Sequence, residues 1–275
     1  MSGSRRAYTG PLQAVILDWA GTTVDYGCFA PAAVFIKVFK ERGVEITMAE
    51  ARGPMGKYKR DHIREITNMP AVAERWRAAH GRLPNESDVE VMFNDFIPRQ
   101  IGVLAQYAPL IPGVRETIMA FRERGLKIGS CTGYTYEMMQ HVLREAEKQG
   151  YTPDSLVCPD GLPGGRPAPW MCFQNAQNMG VYPMEAMVKI GDTVPDIEEG
   201  LNAGMWTVAI AQTGNELGLS QDEVSSLAPG ELAALMQPIY TKLYQAGAHY
   251  VVDSLADTLP ILDEIERRVA QGEKP

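Results

Sequence analysis

From Ile111 to the last residue, short apolar runs rich in β-branched residues alternate with segments of helical spacing. That alternation is the pattern of a parallel sheet whose strands are joined by crossover helices. Strands are expected at 126–130, 155–158, 187–191, 206–210 and 250–252, and helices at 114–124, 136–148, 170–179, 196–203 and 259–270. The stretch 213–248 is longer than an ordinary connection, and a helix is expected inside it near 229–245. Far upstream, Val15, Ile16 and Leu17 read as one more buried parallel strand, which stops abruptly at Asp18.

Between that strand and Ile111 the spacing is helical. Pro31 suits a first helical turn, and Val34, Phe35, Val38 and Phe39 recur on one face up to Gly43. Thr47 with Glu50 forms a capping-box pattern for a short helix that Gly53-Pro54 ends. Further helices are expected from about residue 55, at 71–80 and at 87–106, the last kinked or split at Pro98. The helical block is an insertion in an α/β chain.

Open α/β sheets hold ligands at the carboxyl ends of their strands, and these strand ends carry chemistry. Asp18 is followed by Gly21, Thr22 and Thr23, which offer a tight turn, backbone N–H groups and hydroxyls. The strand before Cys131 runs into Thr132, Gly133, Tyr134 and Thr135, a hydroxyl and a glycine ahead of a helix. The Gly/Pro-rich loop 160–170 has Arg166 as its one cation, a guanidinium suited to clamping phosphate. The strand 187–191 ends in Gly191-Asp192-Thr193-Val194-Pro195-Asp196, and carboxylates four residues apart at a strand tip suit Mg²⁺. Singly, each also has a plain reading as a turn, a helix cap or a solvated charge.

In this order the four resemble the motifs of the haloacid dehalogenase (HAD) superfamily. The resemblance implies a doubly wound, parallel-sheet α/β core at 1–26 and 107–275, an all-helical cap domain at 27–106, and Asp18 as nucleophile. Most phosphatases of that superfamily carry a second Asp two residues after the nucleophile, which protonates the leaving oxygen. Position 20 here is Ala. Either the protein is impaired, or its leaving group needs no such proton.

The block supplies a second group. Set on a helix at about 100° per residue, Met55, Lys59, His62 and Ile66 share one face, while Lys57 falls opposite with Asp61 as its i,i+4 partner. Burial on such a face would push the Lys59 amine toward neutrality, as imine formation requires. Snorkelling of Lys59, a satisfied core histidine and plain methionine packing are the simpler alternatives.

The strings Asp-Trp-Ala-Gly-Thr-Thr-Val-Asp-Tyr-Gly at 18–27, Met-Gly-x-x-Lys-x-x-His at 55–62, Ser-Cys-Thr-Gly-Tyr at 130–134 and Gly-Arg-Pro-x-Pro-Trp-Met at 165–171 resemble the phosphonoacetaldehyde hydrolase (phosphonatase) family. So do Gly-Leu-Asn-Ala-Gly-Met-Trp-Thr at 200–207 and Ala-Gly-Ala-His-Tyr-Val-Val-Asp-Ser at 246–254. The resemblance implies cleavage of the carbon–phosphorus bond of phosphonoacetaldehyde to acetaldehyde and phosphate, downstream of 2-aminoethylphosphonate transamination, by a homodimer pairing through the cap. It further implies a Lys59 imine, an aspartyl phosphate on Asp18, and Mg²⁺ held by Asp18, the Ala20 carbonyl and Asp192 with Asp196 beside them. Thr132, Gly133 and Arg166 would hold the phosphoryl group, and Met55, Gly56, Cys28 and Tyr134 would surround the imine. His62 is expected to shuttle protons, with a pKa near working pH.

A net charge of −8 excludes general affinity for nucleic acid or anionic membrane, and no apolar run is long enough to span a bilayer. Residues 1–11 lack the apolar core of a signal peptide, and the four cysteines form no metal-binding pair, so reduced thiols and a cytoplasmic location are expected. A HAD phosphate-ester phosphatase and a catalytically silent HAD ligand-binding protein are the alternatives. A haloacid dehalogenase would not need the Asp192/Asp196 pair.

Overall fold

The computed structural model describes residues 7–275, so the first six residues of the expected core segment lie outside the described residues. Its strands are β1 (Ala14–Leu17), β2 (Lys127–Cys131), β3 (Ser155–Val157), β4 (Met187–Gly191), β5 (Trp206–Ile210) and β6 (Tyr250–Val252). All pair in parallel, in the order β3-β2-β1-β4-β5-β6. The order reverses at β1, which makes the sheet doubly wound and puts the crevice for a ligand at the tips of β1 and its two neighbours. Leu17 lies beside Ser130 on one side and Ile190 on the other, which brings Asp18 level with Cys131 and Gly191. β1 is buried throughout, as a central strand covered on both faces must be.

Five α-helices stand between β1 and Ile111: α1 (Phe29–Lys40), α2 (Met48–Arg52), α3 (Lys59–Asn68), α4 (Pro70–His80) and α5 (Glu86–Leu104). The sheet helices follow: α6 (Val114–Glu123), α7 (Tyr136–Lys148), α8 (Trp170–Met179), α9 (Val194–Ala203), α10 (Gln221–Ser226), α11 (Pro229–Gln245) and α12 (Leu259–Ala270). The apolar stripe of α1, Val34, Phe35, Val38 and Phe39, is buried within the chain, with Phe35 stacked on Phe96 of α5. That stripe is spent internally and leaves nothing for a second copy.

Three local expectations are corrected. α5 is not split at Pro98 but continues through it as one helix, because Phe93 and Phe96 before it and Leu104 after it are all buried. Burial worth about 2 kcal/mol for each large side chain outweighs a proline penalty of about 3 kcal/mol. α3 starts at Lys59 rather than near residue 55, since Gly56 has a φ of +88° that no helix contains. α10 was not expected; Ser220 and Glu223 form its capping box.

Candidate active site

Asp18 leaves β1 into a tight turn in which the backbone N–H groups of Thr22, Thr23 and Val24 all donate to the Trp19 carbonyl. The side chain is buried, and a guanidinium meets it: Arg166 Nη2 lies 2.7 Å from Asp18 Oδ1 and donates to the Cys131 carbonyl at 2.9 Å. The same guanidinium reaches Asp196 Oδ1 at 3.0 Å through Nη1 and Glu199 Oε2 at 2.9 Å through Nε. Lys189, in the middle of β4, completes the network 2.5 Å from Asp196 Oδ1. Burial pushes the Asp18 carboxyl up, against the pull of Arg166, while Arg166 and Lys189 hold Asp196 below the usual carboxylate range.

The ligand oxygens of Asp18, Asp192 and Asp196 lie within 4.8 Å of one another. Two ligands about 2.1 Å from one Mg²⁺ are at most about 4.2 Å apart, so carboxylates within 4.8 Å of one another could share one ion with a small adjustment. Its charge also asks for a cation: Asp18, Asp192, Asp196 and Glu199 face Arg166 and Lys189, and Asp192 is pushed well above its ordinary value by burial and by its carboxylate neighbours. Among the described residues, Asp192 receives only the Thr22 hydroxyl (3.3 Å) and the Asn215 N–H (2.8 Å). Both oxygens of Asp196 are taken, Oδ1 by Lys189 and Arg166, Oδ2 by the Thr193 N–H and hydroxyl, in the capping box that opens α9. Asp18 and Asp192 therefore have the open lone pairs, and Asp196 orients the cations.

Above these groups sits the turn 55–58. Asp18, Ala20, Cys28, Met55, Gly56, Lys59, Gly133 and Arg166 line one cavity, together with Pro31 and Thr193. Its volume is about 20 Å³, room for roughly one water. The closeness has a backbone cause. A β-carbon at Gly56 would lie 2.1 Å from Thr193 Oγ1, and one at Gly133 would lie 2.3 Å from the Lys57 carbonyl. The Lys59 N–H donates to the Gly133 carbonyl at 3.2 Å, stitching the first turn of α3 to the loop after β2.

Lys59 is 3% exposed, with Nζ 5.0 Å from the Tyr134 ring centroid and 5.8 Å from that of Phe35. Burial lowers its pKa from 10.5 to about 8, against the attraction of Cys28 and Asp18. Cys28, raised well above its usual value by burial, stays a neutral thiol. His62 packs on Phe35 with ring centroids 3.9 Å apart, and its Nε2 meets the Ala51 carbonyl at 2.8 Å. Burial drives its pKa well below 6.5, which corrects the expectation that it titrates near working pH. It is a neutral imidazole whose Nδ1 has no partner among the described residues.

Thr132, Tyr134 and His62 flank the cavity rather than line it. The Thr132 hydroxyl is 3.1 Å from the Tyr134 N–H, as in a cap. Lys57 pairs with Glu65 instead of Asp61, which Arg64 takes, because residues 55–58 are not helical. Sequence reasoning missed Lys189 and Glu199. A lysine inside an otherwise apolar strand was the available signal for the first; the second lies one helical turn past Asp196.

Comparison with known proteins fits this site. A model of the haloacid dehalogenase-like hydrolases matches residues 12–204. The phosphonoacetaldehyde hydrolase of Nitratidesulfovibrio vulgaris is 50% identical over 270 residues, covering 98% of this chain and 96% of its own. That of Bacillus cereus is 50% identical over 257 residues, 94% of this chain and 97% of its own. A crystal structure of a phosphonoacetaldehyde hydrolase-like protein from Oleispira antarctica superposes with a TM-score of 0.97 at 41% identity, over 100% of both chains.

Proposed function

Because the chain belongs to the haloacid dehalogenase-like hydrolases, and among them to the phosphonoacetaldehyde hydrolases, we propose that it splits phosphonoacetaldehyde into acetaldehyde and phosphate through a Lys59 imine and an aspartyl phosphate on Asp18. One observation carries the mechanism: a buried amine with a pKa of about 8 and a buried carboxylate line the same small cavity, and Ala20 stands where an ester phosphatase has its acid.

The Lys59 ammonium first yields a proton to His62 Nδ1; the neutral amine adds to the aldehyde carbon, and that proton returns to the resulting hydroxyl so that water leaves and an iminium conjugated to the carbon–phosphorus bond remains. Asp18 attacks phosphorus in line. The bond to carbon breaks, and its electron pair moves into the iminium to leave an enamine, so no acid is needed at position 20. A proton then adds to the terminal carbon, water releases acetaldehyde from Lys59, and water frees phosphate from Asp18. Arg166 neutralises the phosphoryl oxygens, and the Gly133 region positions them. His62 Nδ1, one helical turn from Lys59, is the acceptor for the proton that the amine must lose. Mg²⁺, which hydrolases of this family generally use, would be held by Asp18, Asp192 and the Ala20 carbonyl, and would supply further charge neutralisation at phosphorus.

A cavity of about 20 Å³ is smaller than the substrate, so in this reading residues 27–106 act as a cap that lifts from the core at 1–26 and 107–275 to admit it, then closes to exclude water. Among the described residues no helix is long and apolar enough to cross a membrane, and all four cysteines are unpaired, which supports a cytoplasmic setting. Assembly as a homodimer through the cap would need a face other than the α1 stripe.

Borohydride trapping tests the mechanism. Incubation with phosphonoacetaldehyde and Mg²⁺, reduction and peptide mass spectrometry should place a two-carbon adduct on Lys59. No adduct, together with phosphate release from simple esters, would return the protein to the ester phosphatases. Saturable binding without turnover would mark a silent ligand-binding protein.

A further inference from the structure

The start of the long connection 213–248 is wedged between the helical segment and the carboxylate cluster, and one cap arginine reads it. Arg52, the last residue of α2, donates through Nη1 to the Gly27 carbonyl at 2.8 Å, to Asn215 Oδ1 at 3.1 Å and to the Asn215 carbonyl at 3.3 Å; Nη2 lies 3.5 Å from the Gly218 carbonyl. Asn215 answers through its side-chain amide, 3.4 Å from the Arg52 carbonyl. The guanidinium also covers the Phe29 ring at 5.1 Å from the centroid. Asn215 is 6% exposed, and its backbone N–H donates to Asp192 Oδ2 at 2.8 Å. A β-carbon at Gly218 would lie 3.0 Å from the guanidinium, and Gly218 has a φ of +63°, so both space and backbone are shaped around Arg52.

We propose that Arg52 is a positioning residue that couples closure of the cap to the placing of Asp192, acting through Asn215. With the cap down, the guanidinium fixes the carbonyl and amide of Asn215, and the opposite edge of that residue aims its N–H at Asp192. With the cap lifted, Arg52 leaves these oxygens and the 213–218 loop loses its clamp, so Asp192 loses a fixed donor. The segment left without a role by sequence thus reports cap position to the cluster. A lysine could replace only part of this link: the contacts to Gly27 and Asn215 come from one nitrogen, Nη1, but one ammonium cannot also reach the Gly218 carbonyl and lie flat over Phe29 as the planar guanidinium does. The proposal rests on the cation-binding and cap roles given above.

The test uses the full chain with Arg52→Ala, Arg52→Lys and Asn215→Ala, first checked for wild-type near-ultraviolet dichroism. Calorimetric titration with MgCl₂ alone should show affinity weakened by about 10-fold in Arg52→Ala, with partial recovery in Arg52→Lys. Hydrogen exchange without metal or substrate should show faster exchange at the Asn215 backbone amide in both Arg52 variants. Adding Asn215→Ala to Arg52→Ala should cost little more than Arg52→Ala alone. Unchanged exchange at Asn215 together with unchanged Mg²⁺ affinity in Arg52→Ala would overturn the coupling even if turnover fell, since a loss confined to turnover describes a cap contact and nothing more. Exchange and metal affinity are read without phosphonoacetaldehyde, so failure of the wild type to hydrolyse it would sink the functional reading and leave this test standing.

Discussion

Replacing Lys59 by Met should abolish turnover and make the protein more stable at neutral pH. Lys59 is buried against Tyr134 and Phe35, and its pKa falls from 10.5 to about 8 chiefly because an ammonium there is desolvated. A drop of roughly 2.5 units corresponds to about 3 kcal/mol at about 1.4 kcal/mol per unit. Between pH 8 and 10.5 the unfolded chain holds this proton and the folded chain does not, so stability rises with pH across that window. Below pH 8 both states are protonated and the full penalty applies. Met is similar in length and carries no charge, so Lys59→Met should gain about 3 kcal/mol over wild type at pH 7, an advantage that fades to nothing by about pH 10.5. Urea denaturation of both proteins at pH 7, 8.5 and 10 measures it. Equal or lower stability of the variant at pH 7, with the same pH slope as wild type, would refute the claim that Lys59 is held against its charge. In the wild type, kcat/KM should rise tenfold per unit up to about pH 8 and then level off, as the neutral amine becomes available.

Gly133→Ala puts a β-carbon 2.3 Å from the Lys57 carbonyl, backbone against backbone, and must part the turn 55–58 from the loop after β2 by about 1 Å; turnover should fall about 100-fold with the thermal midpoint little changed. Wild-type turnover there would mean that the approach of the two segments is not needed for the reaction. Lys57→Ala, which removes only a surface pair with Glu65, should cost less than about 1 kcal/mol in stability and leave turnover within a few-fold; a large loss would mean that the wrong lysine has been given the imine.

What the sequence determined by itself is what local pattern can determine. The apolar run at 15–17 ending in Asp18 made a central strand with its carboxylate at the tip, because a strand that buries both faces keeps a charge inside only where buried partners meet it. Helical spacing found α7, α8, α11 and α12 at their observed bounds. Lys59 and His62 share a face because both lie on α3. Met55 reaches the same cavity by another route, through a turn that Gly56 opens with a positive φ. Local pattern could not say which charges meet. Arg166 meets Asp18 across 148 positions of sequence, and Asn215 meets Asp192 only because β4 and β5 are neighbours. Lys189 reads as a flaw in an apolar strand until Asp196 and Glu199 are seen beside it. The pKa of Lys59 belongs to this second class as well, since its fall comes from closure of two segments over one amine, and desolvation is a property of the assembled site rather than of any run of residues.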